Sequence, residues 1–457
     1  MPANYAIPHL PVAIQGISGK WPSQNEWIEG NSPNFATLRQ LPNVLVPVNV
    51  MGFSSGNSPK VLDPNYEHAT SCDVMTFHDF LDYWERRIKL SRLEKLEKNL
   101  FPIDSDKLKS FGKEICYEEL IYLKDWHYSL DVLQGNLDPS YSIPSFFSDD
   151  WIDKFHLLKK EDYHFVYYGP AGSYTTYHMD VLGTHSWSTN LCGRKLWKFY
   201  VPDIKDEMKT SEKKASDSVS GEDTSLFQLL ASLFPQKSFC IIQDPGEAVF
   251  VPSGWYHSVY NIDDCISINH NWLNGSNIID VANVLKSDLF CVFRRIADDF
   301  NVGEKEIILQ RKTVNKLGGR FLSCNYADYF VASNRVMEAN CGISFVDFFS
   351  FLIRCLNGLL NKLYQFWDPK SEDTIMSVIM DSDKLFDVSF TLFSMLRIGI
   401  LLHELFAMGY AMQTTENGYD SPIFLDEMIV LYHHAIQNIY DQKYRGCVNS
   451  EKRYGAH

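Results

Sequence analysis

The sequence lacks paired cysteines, a surplus of basic residues and long apolar runs, and each absence excludes a class of protein. Its ten cysteines include no C-x-x-C pair, so neither a zinc module nor a thioredoxin-like motif of that spacing is predicted. The net charge of −15 argues against a general nucleic-acid binder, which needs a basic footprint, but suits a basic protein partner. Apolar runs such as residues 393–406 are too short and too charged to cross a bilayer, and they predict buried helices.

A secretory signal is also missing at the start of the sequence. The first ten residues, MPANYAIPHL, contain neither a basic region nor an apolar region of the kind that such signals need. Scattered cysteines without a disulfide framework favour a reducing environment. We therefore expect the protein to act in the cytoplasm, with the nucleus as an alternative, and to bind neither nucleic acid nor membrane directly.

Hydrophobic periodicity divides the chain into a part rich in strands and a helical part. We expect one domain over 1–274, made of N-terminal α/β elements (1–162) and a β-barrel core (163–274). A charged, Ser-rich stretch without apolar period interrupts the core and predicts a mobile insertion at 203–224. Amphipathic and apolar patterns with helical period then predict a helical C-terminal region over 275–457.

The predicted barrel strands are short and are separated by Gly, Pro and Asp. Their segments are HFVYYGP (164–170), GSYTTYHMD (172–180), SWSTNL (186–191), KLWKFYV (195–201), EAVFVP (247–252), WYHSVYN (255–261) and CISINHNW (265–272). Aromatic and β-branched residues alternate with Ser, Thr and Asn. This alternation predicts an α+β protein whose barrel or sandwich has a polar interior.

Three residues in these strands form a candidate metal site. His178 and Asp180 are two residues apart on one strand, so their side chains point to the same face. His257 follows a Pro-Ser-Gly turn and begins another strand, where a barrel could return it beside the first. Two histidines and one carboxylate are the facial triad of non-haem Fe(II) oxygenases, which leaves positions open for a co-substrate and dioxygen. The alternative is a surface histidine beside an aspartate, together with an unrelated histidine on another strand.

A lysine and a threonine near the triad could hold an anionic co-substrate. Thr175 lies three residues before His178, and Lys195 begins a strand after a Cys-Gly-Arg turn. A buried lysine needs an anionic partner or loses its charge. A dicarboxylate such as 2-oxoglutarate would supply that partner, with one end on the metal and the far carboxylate on Lys195 and Thr175. The pattern alone leaves Arg194 and Lys198 as equal candidates for this role.

Two rows of polar side chains could line the cavity. Each row lies on one face of a strand, and the two rows consist of Ser186, Ser188 and Asn190 and of Ser267, Asn269 and Asn271. We expect them to orient a co-substrate, with Ser188, Asn190 and Asn271 as candidate binding residues. The alternative is that these polar side chains face solvent, as they do on one side of many antiparallel sheets.

Together these motifs resemble the JmjC family of Fe(II)- and 2-oxoglutarate-dependent oxygenases. The resemblance covers about 43–274 and is carried by YLKDWH (122–127), FFSDDWI (146–152), YGPAGSYTTYHMD (168–180), SWSTNLCGRKLW (186–197), PGEAVFVPSGWYHSV (245–259) and ISINHNW (266–272). It implies a cupin-like double-stranded β-helix (jelly roll) as the core of the domain over 1–274. It also implies iron on His178, Asp180 and His257, and the co-substrate lysine and hydroxyl at Lys195 and Thr175. A pocket tyrosine then falls on Tyr122 and a late asparagine on Asn271.

The resemblance is greatest to a subgroup of lysyl hydroxylases that act on a translation termination (release) factor at C4 of a lysine. It therefore implies a dioxygenase that uses Fe(II), 2-oxoglutarate and O₂ on a protein substrate. Three alternatives remain at this stage. They are a methyl-lysine demethylase, a catalytically silent cupin-like binding module, and a tRNA-modifying hydroxylase, which the acidic balance disfavours.

Overall fold

The protein has an α+β fold built on a double-stranded β-helix, which confirms the fold class predicted from the sequence. The computed structural model describes residues 10–51, 70–100, 120–132, 140–155, 157, 162–200, 238–299, 332–339, 342–366 and 382–413. The expected insertion at 203–224 lies outside the described residues, as do parts of the expected helical region over 275–457.

Fourteen strands are present in the described part of the chain. They are β1 (Val12–Ile14), β2 (Ile28–Glu29), β3 (Ser32–Pro33), β4 (Leu45–Met51), β5 (Thr70–Thr76), β6 (Leu120–Trp126), β7 (His164–Gly169), β8 (Tyr174–His178), β9 (His185–Cys192), β10 (Lys195–Tyr200), β11 (Ser238–Gln243), β12 (Ala248–Val251), β13 (Tyr256–Asn261) and β14 (Cys265–Trp272). The predicted barrel strands at 164–272 are all found, and β11 is added to them.

In sequence, the helices lie before the first barrel strand, β7, or after the last, β14. They are α1 (Pro22–Glu26), α2 (Phe35–Leu38), α3 (Phe77–Leu100), α4 (Tyr128–Asp131), α5 (Trp151–Lys154), α6 (Ile278–Asp299), α7 (332–339), α8 (Phe345–Phe366) and α9 (Ser382–Gln413). Among these described helices, none combines the length and the apolar character needed to cross a membrane.

Two antiparallel sheets form the barrel. The major sheet has the order β1-β12-β9-β14-β7-β6-β4-β5, and the minor sheet has the order β11-β10-β13-β8. From β7 to β14 the chain passes between them, with β7, β9, β12 and β14 in the major sheet and β8, β10, β11 and β13 in the minor sheet. This winding brings strands far apart in sequence side by side, as a jelly roll requires.

The N-terminal elements cover the outer face of the major sheet. Trp21, Trp27, Phe80 and Trp84 belong to one buried cluster with residues of β6, β7, β9 and β14. A capping box begins α3, since the Thr76 hydroxyl donates to Asp79 at 2.6 Å and accepts from its backbone N–H at 3.2 Å. The barrel therefore has one face closed by N-terminal residues and an interior between its two sheets.

The C-terminal helices pack against residues that precede the barrel. Residues of α6, α8 and α9 share a buried apolar cluster with Trp151, Ile152 and Phe155. Arg354 of α8 donates from Nε to the carbonyl oxygen of Phe155 at 2.9 Å. The division of the chain at residue 274 remains a prediction, although the last strand ends at Trp272 and the next helix begins at Ile278.

Candidate metal centre

The two candidate histidine ligands are direct neighbours across a strand pair. His178 ends β8 and lies opposite His257 of β13 in the antiparallel register, and their ring centroids are 4.3 Å apart. Asp180 follows two residues later. One potential ligand atom from each of the three side chains lies within 4.8 Å of the others. The fold thus brings His257 beside His178, 79 positions earlier in the sequence, and beside Asp180.

Backbone hydrogen bonds fix the tautomer of both histidines. His178 Nδ1 lies 2.7 Å from the carbonyl oxygen of Thr176, and His257 Nδ1 lies 3.2 Å from that of Trp255. Because a carbonyl oxygen can only accept, each Nδ1 must carry the proton. Each Nε2 then keeps a lone pair, which is the arrangement that orients histidine ligands in metal sites.

Burial sets the charge state of the three groups. Burial lowers the pKa of His178 to about 4, with a further decrease from His257, and burial lowers the pKa of His257 to about 4. Burial also raises the pKa of Asp180, while a hydrogen bond from Ser186 at 2.7 Å opposes that rise. Two neutral imidazoles can each donate a lone pair to a divalent metal, and a nearby cation would stabilise the charged form of the buried carboxylate. Two histidines and one carboxylate leave further coordination positions of such a metal open.

A β-bulge turns Thr175 toward the same interior. Residues three apart on a regular strand point to opposite faces. The pairing of β8 with β13 changes register between His257, which is opposite His178, and Val259, which is opposite Thr175. The extra residue on β8 lets both His178 and Thr175 face inward. Alternation along the sequence does not predict this orientation.

Tyr122 lies in contact with Thr175. Burial raises the pKa of Tyr122, whereas hydrogen bonds with the side chains of Asn261 and Thr175 lower it. Tyr122 is almost fully buried, so its phenol group and the Thr175 hydroxyl form a polar patch inside the barrel.

Lys195 is the buried cation of this interior. Only 2% of its surface is exposed, and Nζ donates to the Ser267 hydroxyl at 2.7 Å. Burial lowers its pKa to about 8, and none of the described carboxylates forms an ion pair with it. By contrast, Arg194 is exposed and paired with Asp263 at 2.7 Å, and Lys198 lies over the ring of Tyr200 at 5.4 Å. Of the three candidates, Lys195 alone is a buried cation beside the polar row.

The two polar rows share the interior face. Ser267, Asn269 and Asn271 of β14 lie opposite Asn190, Ser188 and Ser186 of β9, and residues directly opposite in an antiparallel pair project to the same side. The row is buried rather than solvated at its centre, with Ser188 at 4% and Asn190 and Ser267 at 0% exposure. The alternative of a solvent-facing row is therefore wrong.

The predicted polar residues differ in their contacts. The Ser188 hydroxyl has no hydrogen-bond partner among the described residues, so it is available to a ligand. Asn190 donates to the Gly193 carbonyl at 2.6 Å, which holds the turn before Lys195. Asn271 donates to the Thr184 hydroxyl at 2.8 Å. Asn190 and Asn271 thus have structural contacts, and their predicted role with a co-substrate remains a prediction.

Several residues of the site were not singled out from the sequence. The sequence predicts Ser186 and Ser267 only as members of the polar rows. In the structure, Ser186 donates a hydrogen bond to Asp180 and Ser267 accepts one from Lys195. Asn261 donates to Ser173 at 2.8 Å and reaches Tyr122, and Trp197 stacks on His257 at 5.6 Å. Trp197 is two residues after Lys195, and this spacing is a signal that could have placed it on the inner face.

A second group of potential ligands lies elsewhere and has structural roles. Asp150, Asp153 and His164 also offer atoms within 4.8 Å of one another. However, Asp150 accepts hydrogen bonds from the backbone N–H of Ile152 at 2.9 Å and of Leu273 at 3.4 Å, and so caps α5. His164 stacks on His270 at 3.8 Å.

The fold and the triad define a class of protein, the cupin-like enzymes that hold a metal inside a double-stranded β-helix. A family model described as "JmjC domain, hydroxylase" matches residues 165–272. The chain belongs to the JmjC family of 2-oxoglutarate- and iron-dependent oxygenases, and its similarity to proteins of the JMJD4 type extends well beyond the matched domain.

Three relatives illustrate this similarity. The chain is 33% identical to "2-oxoglutarate and iron-dependent oxygenase JMJD4" of Mus musculus over 65% of this chain and 62% of the relative. It is 30% identical to the JMJD4 homolog of Drosophila melanogaster over 76% of this chain and 79% of the relative. It is 28% identical to "Arginine-specific demethylase JMJ20" of Arabidopsis thaliana over 86% of this chain and 76% of the relative. The chain thus spans less than two thirds of the mouse protein's length.

Proposed function

We propose that the chain is an Fe(II)- and 2-oxoglutarate-dependent protein hydroxylase that acts on a lysine side chain. The observation that carries the proposal is the convergence of His178, Asp180 and His257 inside the barrel. The buried Lys195 lies on β10, the strand that pairs with β13 of His257. Iron, 2-oxoglutarate and O₂ are the implied cofactor and co-substrates, which would supply the oxidising chemistry once bound.

Each group of residues has its own task in this proposal. His178 and His257 would bind the iron through Nε2, and Asp180 through the oxygen that Ser186 does not occupy. Lys195 would bind the far carboxylate of 2-oxoglutarate, with Thr175 and Tyr122 donating hydroxyl groups. Ser188, with Asn190 and Asn271 beside it, would complete the polar wall that orients the co-substrate. Trp197, Phe199 and Val251 form part of an apolar cluster in the barrel, which would limit the access of water.

For the substrate, we propose a lysine of a translation release factor, hydroxylated at C4, in the cytoplasm. The resemblance to the release-factor hydroxylase subgroup supports this choice. The net charge of −15 also suits a basic segment of a protein partner.

Demethylation of a methylated side chain is the second candidate function. The name of the Arabidopsis thaliana relative, an arginine-specific demethylase, supports it. The two activities share the metal site and differ in which carbon the bound substrate presents to it. A silent binding module is disfavoured because such a module has no need for all three ligands and a buried lysine.

Mass spectrometry separates the two candidates. Purified protein with Fe(II) and 2-oxoglutarate is incubated in air with the release factor, or with methylated lysine and arginine peptides of histones. We expect one added oxygen, about 16 Da, on an unmethylated lysine of the factor, with succinate formed in equal amount. The Asp180→Ala variant is the matched control. Loss of about 14 Da per methyl group from the peptides, with no oxidation of the factor, would refute the hydroxylase proposal.

A further inference from the structure

Asp125 has an unusual backbone conformation at the edge of the barrel. Its φ is 60°, in the left-handed region that a residue with a side chain rarely adopts. It lies where the pairing of β6 with β7 shifts register, between Leu123 and Trp126. Such strain persists only where the surroundings enforce it, and it is concentrated at functional sites. The bulge redirects the Asp125 side chain relative to a regular strand.

The carboxylate of Asp125 is held in place at both oxygens. The Tyr167 hydroxyl donates to Oδ1 at 2.7 Å, and Lys124 Nζ lies 3.1 Å from Oδ2. The Asp125 side chain is nevertheless 51% exposed. A carboxylate can accept about four hydrogen bonds, so this one is fixed in position and still open to a further donor from outside.

Tyr167 connects this carboxylate to the barrel interior. Tyr167 lies opposite Ser267 and therefore faces the barrel interior, with its ring 6.1 Å from that of Tyr122. The pKa of Tyr167 is raised by burial and then by the charges of Asp125, Tyr122 and Asp180. Asp125 thus lies at the edge of the barrel and shares a hydrogen bond with a tyrosine that faces the interior.

We propose that the Asp125 carboxylate binds the ammonium group of the substrate lysine at the mouth of the cavity. This inference rests on the proposed function and assigns the residue that recognises the amine. The Tyr167 hydroxyl aims the carboxylate, and Lys124 shows that an ammonium group already fits against it. Because the contact needs N–H donors, it favours an unmethylated lysine over a quaternary trimethyl-lysine.

The variant Asp125→Asn tests the charge while leaving the fold intact. Asparagine tolerates a positive φ better than most residues, and its amide oxygen can still accept from Tyr167. Asp82→Asn is the matched control, since Asp82 is an exposed aspartate of α3 that pairs with Arg39. Both variants remove one negative charge, so a difference between them is local to Asp125.

A direct binding measurement uses n-butylammonium as the probe of the amine and n-butanol as its neutral analogue. The protein is loaded with Zn(II) and 2-oxoglutarate, and binding is followed by saturation-transfer NMR. We expect the wild type and Asp82→Asn to bind the ammonium, and Asp125→Asn to bind it about tenfold or more weakly. n-Butanol should not distinguish the three proteins. Equal ammonium binding by wild type and Asp125→Asn, or none by the wild type, overturns the inference.

Kinetics with the release factor separate this inference from the proposed function. In Asp125→Asn the KM for the factor should rise about tenfold or more, with the KM for 2-oxoglutarate unchanged. If the factor is oxidised with the same KM by this variant, the inference is wrong and the function stands. If the wild type binds n-butylammonium through Asp125 and leaves the factor unoxidised, the proposed substrate is wrong and the amine site stands.

Discussion

Replacing Lys195 with methionine should make the protein more stable and at the same time impair its use of 2-oxoglutarate. Burial lowers the pKa of Lys195 from 10.5 to about 8, which corresponds to a penalty of ~3 kcal/mol for the charged form in the folded state. Methionine is unbranched and adapts to irregular spaces. The variant also loses the hydrogen bond to Ser267, and this loss offsets ~1 kcal/mol of the stabilisation. At neutral pH the net gain in unfolding free energy is therefore about 1–2 kcal/mol.

The dependence on pH distinguishes this explanation from better packing. The pKa of Lys195 is lower in the folded than in the unfolded protein, so the folded state is penalised in full below about pH 8. The penalty fades as the pH rises from about 8 to 10.5. Urea unfolding should thus show the variant more stable than wild type at pH 7 and slightly less stable near the upper end of that range, where only the loss of the hydrogen bond to Ser267 remains.

The same substitution should weaken the binding of 2-oxoglutarate. A lost charge-assisted hydrogen bond costs about 1.5–3 kcal/mol, so the KM for 2-oxoglutarate should rise about tenfold to a hundredfold. Lys198→Met is the matched control, because Lys198 lies over Tyr200 on the other face of β10, and its KM should be unchanged. A Lys195→Met protein that is less stable than wild type at pH 7, or that keeps the wild-type KM, would refute the reasoning.

Three further predictions concern the metal site and the packing around it. Asp180→Ala should abolish iron-dependent turnover and weaken metal binding in titration calorimetry while circular dichroism stays unchanged; turnover at the parental rate would refute its role as a ligand. Ser186→Ala removes the 2.7 Å hydrogen bond to Asp180 and should weaken metal binding about tenfold or more, an effect that unchanged calorimetry would exclude. Gly169→Ala would place its Cβ against the Asn261 amide nitrogen and should lower the unfolding free energy by about 1–3 kcal/mol. Gly19→Ala, whose Cβ meets nothing within 4 Å, is the control, and equal unfolding midpoints for both variants would contradict the packing argument.

Much of the site could be predicted because its residue types and spacings carry the chemistry. The H-x-D spacing of His178 and Asp180 predicts that their side chains lie together, although β8 ends at His178 and Asp180 lies beyond the strand rather than on it. The turn before His257 predicts a strand start. A buried lysine needs an anionic partner or its pKa falls, wherever the lysine lies. The choice of Lys195 over Arg194 and Lys198 did not follow from the pattern, because all three are basic and close together in sequence. Only the packing of β10 against its neighbours decided which of them is buried.

The sequence by itself determined the barrel strands, the helical character of the described residues after 275 and the proximity of His178 to Asp180, because alternation and helical period are local properties of the backbone. The tertiary structure decided the register between strands, which depends on neighbours distant in the chain. A bulge in β8 turned Thr175 inward, and the irregularity between β6 and β7 redirected the Asp125 carboxylate at the edge of the barrel. Neither is visible in the sequence, because a single extra residue reverses the side-chain alternation that any local pattern assumes.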